Sequence, residues 1–220
     1  MKRYLFTIVF IVLTASAFSQ RKSDIGIYGG ATFYLGEVNP EKIFYNPGYT
    51  FGALYRYNFN PRYSLRIKAA YAHMSGSDND FDKVVVGRNP TTFSTGLINL
   101  ASQVEFNFIP YLTGDKNYDW TPYVFGGAGY SVILSSSATT NVSANSHLVI
   151  PFGAGAKINF TSRLSGGVEW TFNKTFTDRI DGVIPPTGTS TLSKNDWYNF
   201  AGLFITYKFF KFAADCPVYD

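Results

Sequence analysis

From Gly48 to Phe59 the chain reads Gly-Tyr-Thr-Phe-Gly-Ala-Leu-Tyr-Arg-Tyr-Asn-Phe, and every odd position (Tyr49, Phe51, Ala53, Tyr55, Tyr57, Phe59) is apolar or aromatic. The even positions are mostly Gly, Thr, Arg or Asn. A period of two marks a strand with one apolar and one polar face, and about 9 to 11 tilted residues suffice to cross a bilayer. This segment is long enough to span.

The same alternation predicts seven more strands. Asp24 to Leu35 carries Ile25, Ile27, Ala31, Phe33 and Leu35 on its apolar face. Arg62 to Met74 sets Tyr63, Leu65, Ile67, Ala69 and Tyr71 against Ser64, Arg66 and Lys68. Leu97 to Ile109 sets Ile98, Leu100, Val104, Phe106 and Phe108 against Asn99, Gln103, Glu105 and Asn107. Thr121 to Leu134 is glycine-rich on both faces and has the weakest pattern. His147 to Asn159 alternates Leu148, Ile150, Phe152, Ala154, Ala156 and Ile158 with Gly153, Gly155, Lys157 and Asn159. Leu164 to Asn173 sets Val168, Trp170 and Phe172 against Ser165, Glu169, Thr171 and Asn173. Trp197 to Phe209 offers Leu203, Ile205, Tyr207 and Phe209 outward, with Thr206 and Lys208 opposite.

The N-terminus supplies a compartment. Lys2 and Arg3 precede an apolar run from Leu5 to Leu13 and the small-residue stretch Thr14 to Gln20, the three regions of a secretory signal peptide, with cleavage expected near Ser19. No later apolar run is long enough for a transmembrane helix, so a membrane fate requires a barrel. The expected organisation is residues 1–19 as signal peptide, 20–210 as barrel and 211–220 as a C-terminal tail. An aromatic content of 18% with 20 glycines is high for a soluble enzyme. Loss of Lys2 and Arg3 lowers the formal charge from +4 to +2, so the pI near 9 is no argument for a nucleic-acid partner. The single cysteine, Cys216, cannot form an internal disulfide and reads as an inert thiol or an intermolecular bridge.

The predicted connections alternate short and long. Asn58-Phe59-Asn60-Pro61-Arg62-Tyr63 and Asn159-Phe160-Thr161-Ser162-Arg163-Leu164 are matching tight turns with a shared Asn-Phe-x-x-Arg pattern, and Pro110 to Trp120 is one longer turn on the same side. Long polar links fall between them at Gly36 to Pro47, Ser75 to Ser94, Ser135 to Ser146 and Ile180 to Asp196. Short periplasmic turns, long external loops, an even strand number and both termini inside are the habits of bacterial transmembrane barrels. Aromatics near strand ends, Tyr57, Phe59, Tyr63, Trp120, Tyr123, Trp197 and Phe209, suit interfacial girdles. A soluble lipocalin-like barrel also has eight strands, but with apolar faces turned inward. The fold expected is therefore an all-β, eight-stranded antiparallel up-and-down transmembrane barrel in the bacterial outer membrane.

The polar faces would then line the lumen, placing Arg56, Arg66, Lys68, Glu105, Lys157, Glu169 and Lys208 inside. An eight-stranded barrel has an interior just wide enough for side chains, so pairing is preferred to an anion path, with Glu105 and Glu169 as acceptors for Arg56 and Arg66. His147 after Ser146 raises the alternative of an outer-membrane lipid hydrolase, but neither His73 nor His147 has an orienting carboxylate at a diagnostic spacing. One cysteine and two separated histidines make no metal ligand set. Asn141-Val-Ser, Asn159-Phe-Thr and Asn173-Lys-Thr match glycosylation sequons, which carry little meaning in a bacterial barrel. No cofactor, catalytic residue or small-molecule substrate is expected.

Several short motifs in order resemble a known family. They are Tyr34-Leu35-Gly36-Glu37-Val38-Asn39-Pro40, Tyr55-Arg56-Tyr57-Asn58-Phe59 with Arg62, Glu105-Phe106-Asn107-Phe108, Trp120-Thr121-Pro122-Tyr123-Val124, Ile150-Pro151-Phe152-Gly153, the run Lys174 to Asp181, Asp196-Trp197-Tyr198 and Cys216-Pro217-Val218-Tyr219. Together they resemble the PorG-like outer-membrane proteins of the Bacteroidetes type IX secretion system, with Gly182 standing where that pattern has a second Asp. The resemblance implies a non-enzymatic barrel that associates with a periplasmic ring, built from a lipoprotein and its partner subunit, in export of proteins with a C-terminal sorting domain. In that setting the residues after the last strand, Asp215, Cys216, Pro217, Val218 and Tyr219, become a candidate docking tail. An orphan barrel with a role in adhesion or envelope integrity is the alternative.

Overall fold

The computed structural model describes residues 23–35, 46–77, 92–115, 118–136, 146–175 and 197–209. The predicted signal peptide and the docking tail with Cys216 lie outside the described residues. Eight strands follow in chain order: β1 Ser23–Leu35, β2 Gly48–Asn58, β3 Tyr63–Ser77, β4 Thr92–Asn107, β5 Trp120–Ser136, β6 Ser146–Asn159, β7 Leu164–Thr175 and β8 Trp197–Lys208. Every neighbour in sequence is an antiparallel neighbour in space, and β8 returns to β1, from Asp24 opposite Lys208 to Leu35 opposite Trp197. The sheet therefore has no free edge, which is the condition for a β-structure to sit in hydrocarbon, where unpaired backbone groups find no water.

Alternation sets the wall. Ile27 (68% exposed), Leu100, Val104, Leu148, Leu203 (63%) and Ile205 point outward, while Arg56, Arg66, Asn99, Gln103, Glu105, Lys157, Glu169 and Thr206 are buried inside. This is the reverse of the lipocalin orientation, and such an exterior is stable only against lipid. Strands of 11 to 17 residues meet or exceed the roughly 9 to 11 needed to cross. β4 begins at Thr92, earlier than the alternation indicates, because its polar first turn (Thr92, Ser94, Thr95) has no hydrophobic period yet continues the ladder to Ser77. A bulge follows, where Leu134 is left out of the pairing between Leu97–Ile133 and Gly96–Ser135. Phe33 and Asn199, register partners on the outward face, are both buried.

Rings collect at both rims. At the short-turn end Tyr57 packs edge-on against Phe59 (5.1 Å), Phe106 against Phe108 (5.3 Å) and Tyr207 against Phe209 (5.9 Å). At the other end Tyr49 lies parallel to Phe51 and His73, and Lys174 Nζ sits 5.2 Å from the Trp197 ring centre.

The lumen is less uniformly polar than alternation suggests. Tyr28, Leu54, Met74, Leu97, Phe125, Val149, Tyr198, Phe200 and Phe204 form a buried apolar cluster within it. Tyr123, expected in a girdle, belongs to that cluster and is 1% exposed. It points inward because β5 places its odd residues inside, and because the facing residue, Gly155, leaves room for the ring. A Cβ on Gly155 would lie 2.4 Å from the Val168 carbonyl oxygen and 2.7 Å from Tyr123 Cε1.

Gly155→Ala should therefore overpack the lumen by about 1–3 kcal/mol. The expected readout is a lower temperature for the gel-mobility shift between folded and heat-unfolded barrel. Gly29→Ala, whose Cβ would have no heavy atom nearer than 3.9 Å, should leave that temperature unchanged.

Candidate functional site

The charges of the central luminal network come from the inward positions of five strands and meet across the barrel. Arg56 on β2 donates through Nε to Glu105 Oε2 on β4 at 2.8 Å. Lys157 on β6 reaches the same carboxylate at 2.5 Å and also Asn107 Oδ1 at 2.9 Å. Arg66 on β3 bridges both acids, with Nε 3.1 Å from Glu105 Oε1 and Nη1 donating to Glu169 Oε2 at 2.5 Å. Lys68 Nζ holds the other Glu169 oxygen at 2.7 Å, and the Tyr123 hydroxyl donates to Oε2 at 2.9 Å. β3 and β7 are four strands apart in a ring of eight, so the Arg66–Glu169 pair spans the lumen from wall to wall. The network obstructs the passage at this level.

Rings complete the packing of these cations. Lys68 Nζ lies 3.3 Å from the Tyr28 ring centre, Lys157 Nζ 4.1 Å from Tyr123 and the Arg66 guanidinium 4.6 Å from Phe125. A buried cation over an aromatic face is attracted by the ring quadrupole, most strongly where water is excluded.

Two residues of this layer are absent from the predicted charge cluster, although the alternation already puts Gln103 on the polar face. Gln103 accepts from Arg66 Nε at 2.8 Å, and Asp24 is a third luminal carboxylate, in register with Arg56 and 3.9 Å from its Nη1. Asp24 shares the parity of the other inward residues of β1 and could have been read from it. Its place at the first residues of a strand, where polar groups are ordinary, hid it. Lys208 sits not in the central network but opposite Asp24 at the short-turn mouth, where its Nζ donates to the Thr113 carbonyl at 2.8 Å.

That mouth is closed by the turn between β4 and β5. Tyr111 and Thr113 are buried. Thr113 Oγ1 donates to Asp24 Oδ2 at 3.1 Å and lies 3.2 Å from Ser165 Oγ, while Asp24 also accepts from Asn58 Nδ2 at 3.0 Å. Tyr111 N donates to Pro61 O, and its hydroxyl donates to Asn159 Oδ1 at 2.7 Å. Burial pushes the Tyr111 phenol up to about 12. Gly114 (φ +81°) makes the turn possible, because any Cβ there would collide with the Ser162 carbonyl. The sequence shows only a longish turn. The structure makes it a plug, hydrogen-bonded to Asp24, whose carboxylate lies 3.9 Å from Arg56 Nη1.

The two histidines do not assemble a catalytic pair. His73 faces outward and its Nε2 contacts Ser94 Oγ at 3.0 Å. Ser146 and His147 are consecutive on β6 and point to opposite faces, Ser146 exposed beside the Tyr130 hydroxyl and His147 buried in the lumen. The hydrolase alternative built on that pair has no geometry to support it. Among the described residues no group of His, Cys, Asp or Glu is placed to hold a metal ion.

The chain belongs to the family described as a domain of unknown function, DUF6089, which it matches over residues 2–218. No curated protein matches it. Among solved structures it is similar to Neisserial surface protein A, at 14% identity, with 85% of this chain and 97% of that one covered and a TM-score of 0.52. A major outer membrane protein from Thermus thermophilus has 14% identity, 85% and 99% coverage and a TM-score of 0.51. Ail, the attachment invasion locus protein of Yersinia pestis, has 15% identity, 86% and 98% coverage and a TM-score of 0.50. The shared feature is the fold, that of the small outer-membrane barrels.

Replacing both Glu105 and Glu169 with Gln should strand the buried cations. Removing one partner of a buried pair costs roughly 3–5 kcal/mol. The gel-mobility transition of the double variant should fall well below that of the parent, and an unchanged transition would show that these pairs do not stabilise the barrel.

Proposed function

We propose that this DUF6089 barrel is a non-enzymatic outer-membrane component of a type IX protein secretion system, anchoring or organising a periplasmic ring made of a lipoprotein and its partner subunit. The observation that carries the proposal is the lumen. Ion pairs cross it from wall to wall and a turn lies over its mouth, an arrangement that argues against a conducting role and in favour of work at the surface. The ordered motifs from Tyr34 to Tyr219 that resemble the PorG-like proteins point to which surface. In this reading both termini and the short turns are periplasmic, the signal peptide ends near Ser19, and Asp215, Cys216, Pro217, Val218 and Tyr219 dock on the ring. An oxidising compartment would allow a mixed disulfide through Cys216, and contacts through Val218 and Tyr219 would serve without one.

Orientation is tested by cysteine labelling. Cysteines at Asn60 and Ser162 should label only after the outer membrane is permeabilised, whereas those at Asp80 and Thr189, between β3 and β4 and between β7 and β8, should label on intact cells. The reverse pattern overturns the assignment of sides.

The secretion role is tested by deleting the whole protein. Loss of sorting-domain export supports it. Normal export with impaired adhesion or envelope integrity supports the orphan-barrel alternative instead. Removal of residues 215–220 should leave a folded barrel while weakening recovery of ring components in a crosslinked pull-down read by mass spectrometry. Undiminished recovery would move the docking surface to the periplasmic turns.

A further inference from the structure

The two Asn-Phe-x-x-Arg turns are built alike, bond for bond. In the β2–β3 turn Phe59 N and Asn60 N both donate to Tyr63 O, and in the β6–β7 turn Phe160 N and Thr161 N both donate to Leu164 O. A short polar side chain then braces each turn. Asn60 Oδ1 accepts from Arg62 N and Tyr63 N, both at 2.8 Å, and Thr161 Oγ1 accepts from Arg163 N and Leu164 N at 3.3 and 3.0 Å. The arginine carbonyls accept from Asn107 N and Lys208 N respectively, both at 2.8 Å.

Each guanidinium continues in the same direction, past the strand it precedes to the next strand of the ring. Arg62 Nη1 donates to the Phe108 carbonyl at 2.9 Å, and Arg163 Nη1 to the Tyr207 hydroxyl at 3.1 Å. Both turns lie at the short-turn rim, and four strands separate them in a closed ring of eight, so they stand on opposite sides of the barrel.

The surroundings identify what the remaining donors meet. Arg62 is flanked by exposed Phe59 (52%), Tyr63 and Phe108, and Arg163 by exposed Phe160 (57%), Tyr207 and Phe209. Rings at a barrel rim lie at headgroup depth. A guanidinium has five N–H donors in a fixed fork, and among the described residues only Nη1 is used. Among the same residues neither arginine has a carboxylate partner. Phosphate is the oxyanion found at that depth, and an arginine fork binds it in a bidentate manner. The internal contacts hold each fork in place, which reduces the ordering cost of binding.

We propose that Arg62 and Arg163 are two equivalent phospholipid sites, each binding the phosphate of one glycerophospholipid in the leaflet at the short-turn end. The proposal does not depend on the secretion role, but it rests on the assignment of the short-turn end to the periplasmic side, where the leaflet is glycerophospholipid. The occupant is a membrane lipid rather than a free anion, because the flanking rings give its acyl chains an apolar surface beside the guanidinium.

The test is native mass spectrometry of the full barrel, released from detergent after titration with phosphatidylglycerol. Wild type should retain two lipids, Arg62→Gln or Arg163→Gln one, and the double variant none. Lysine at both positions keeps the charge but loses the fork, and should weaken retention without abolishing it. Diacylglycerol with the same acyl chains but no phosphate should not be retained. The gel-mobility shift first shows that each variant is folded. A double Gln variant that holds two lipids, a wild type that holds only one, or diacylglycerol held as well as phosphatidylglycerol would overturn the proposal.

Discussion

The ladder between β1 and β8 is the constraint on which the rest depends. In water an open sheet edge is a liability, whereas in hydrocarbon it is prohibitive, since each exposed N–H and C=O there has no alternative partner. The pairing from Asp24–Lys208 to Leu35–Trp197 removes the last edge. Once the ring is closed, every residue has only two directions to point. The requirement that one of them meet lipid fixes the direction of the other, so polar side chains are turned into a narrow lumen whether or not they have partners there.

The lumen must then resolve the charges forced into it. Unpaired ions in a low dielectric cost several kcal/mol each, and attraction offsets this only with good geometry and further hydrogen bonds. Here Glu105 is shared among three cations and Glu169 between two, Tyr123 and Gln103 add hydrogen bonds, and aromatic faces cover Lys68, Lys157 and Arg66. The aromatic side chains serve twice, as hydrophobic filling and as polarisable contact for ammonium and guanidinium groups. A consequence is closure. The contacts that make the charges tolerable also block the passage, so the chemistry that stabilises the fold excludes a wide pore through this layer.

At the short-turn end the same network reaches the surface. The plug turn is held mainly by hydrogen bonds, through Thr113 to Asp24 and through Tyr111 and Asn159, and Asp24 faces Arg56 beside Glu105. This face therefore combines a rigid underside, two matched arginine turns and a ring of exposed aromatics.

Strand number, barrel class and the lipid-facing wall were legible in the alternation, because a period of two records which residues share a face and closure leaves few ways to use that fact. Arg56, Arg66, Lys68, Glu105, Lys157 and Glu169 were placed inside for the same reason, since they share the inward parity, while Asp24, which shares it too, went unread. Glu105 and Glu169 were expected as acceptors for Arg56 and Arg66, but the bridging of both acids by Arg66 was not, because curvature alone brings β3 opposite β7. Tyr123 was assigned to a girdle because an aromatic near a strand end fits either face. Only its inward register, and the room above Gly155, decide. The plug was equally hidden: Pro110 to Trp120 has no period to read, and its fold depends on partners far away in sequence, Asp24, Asn159 and Lys208. Local pattern determined the face of each side chain, and the closed ring decided which faces converge.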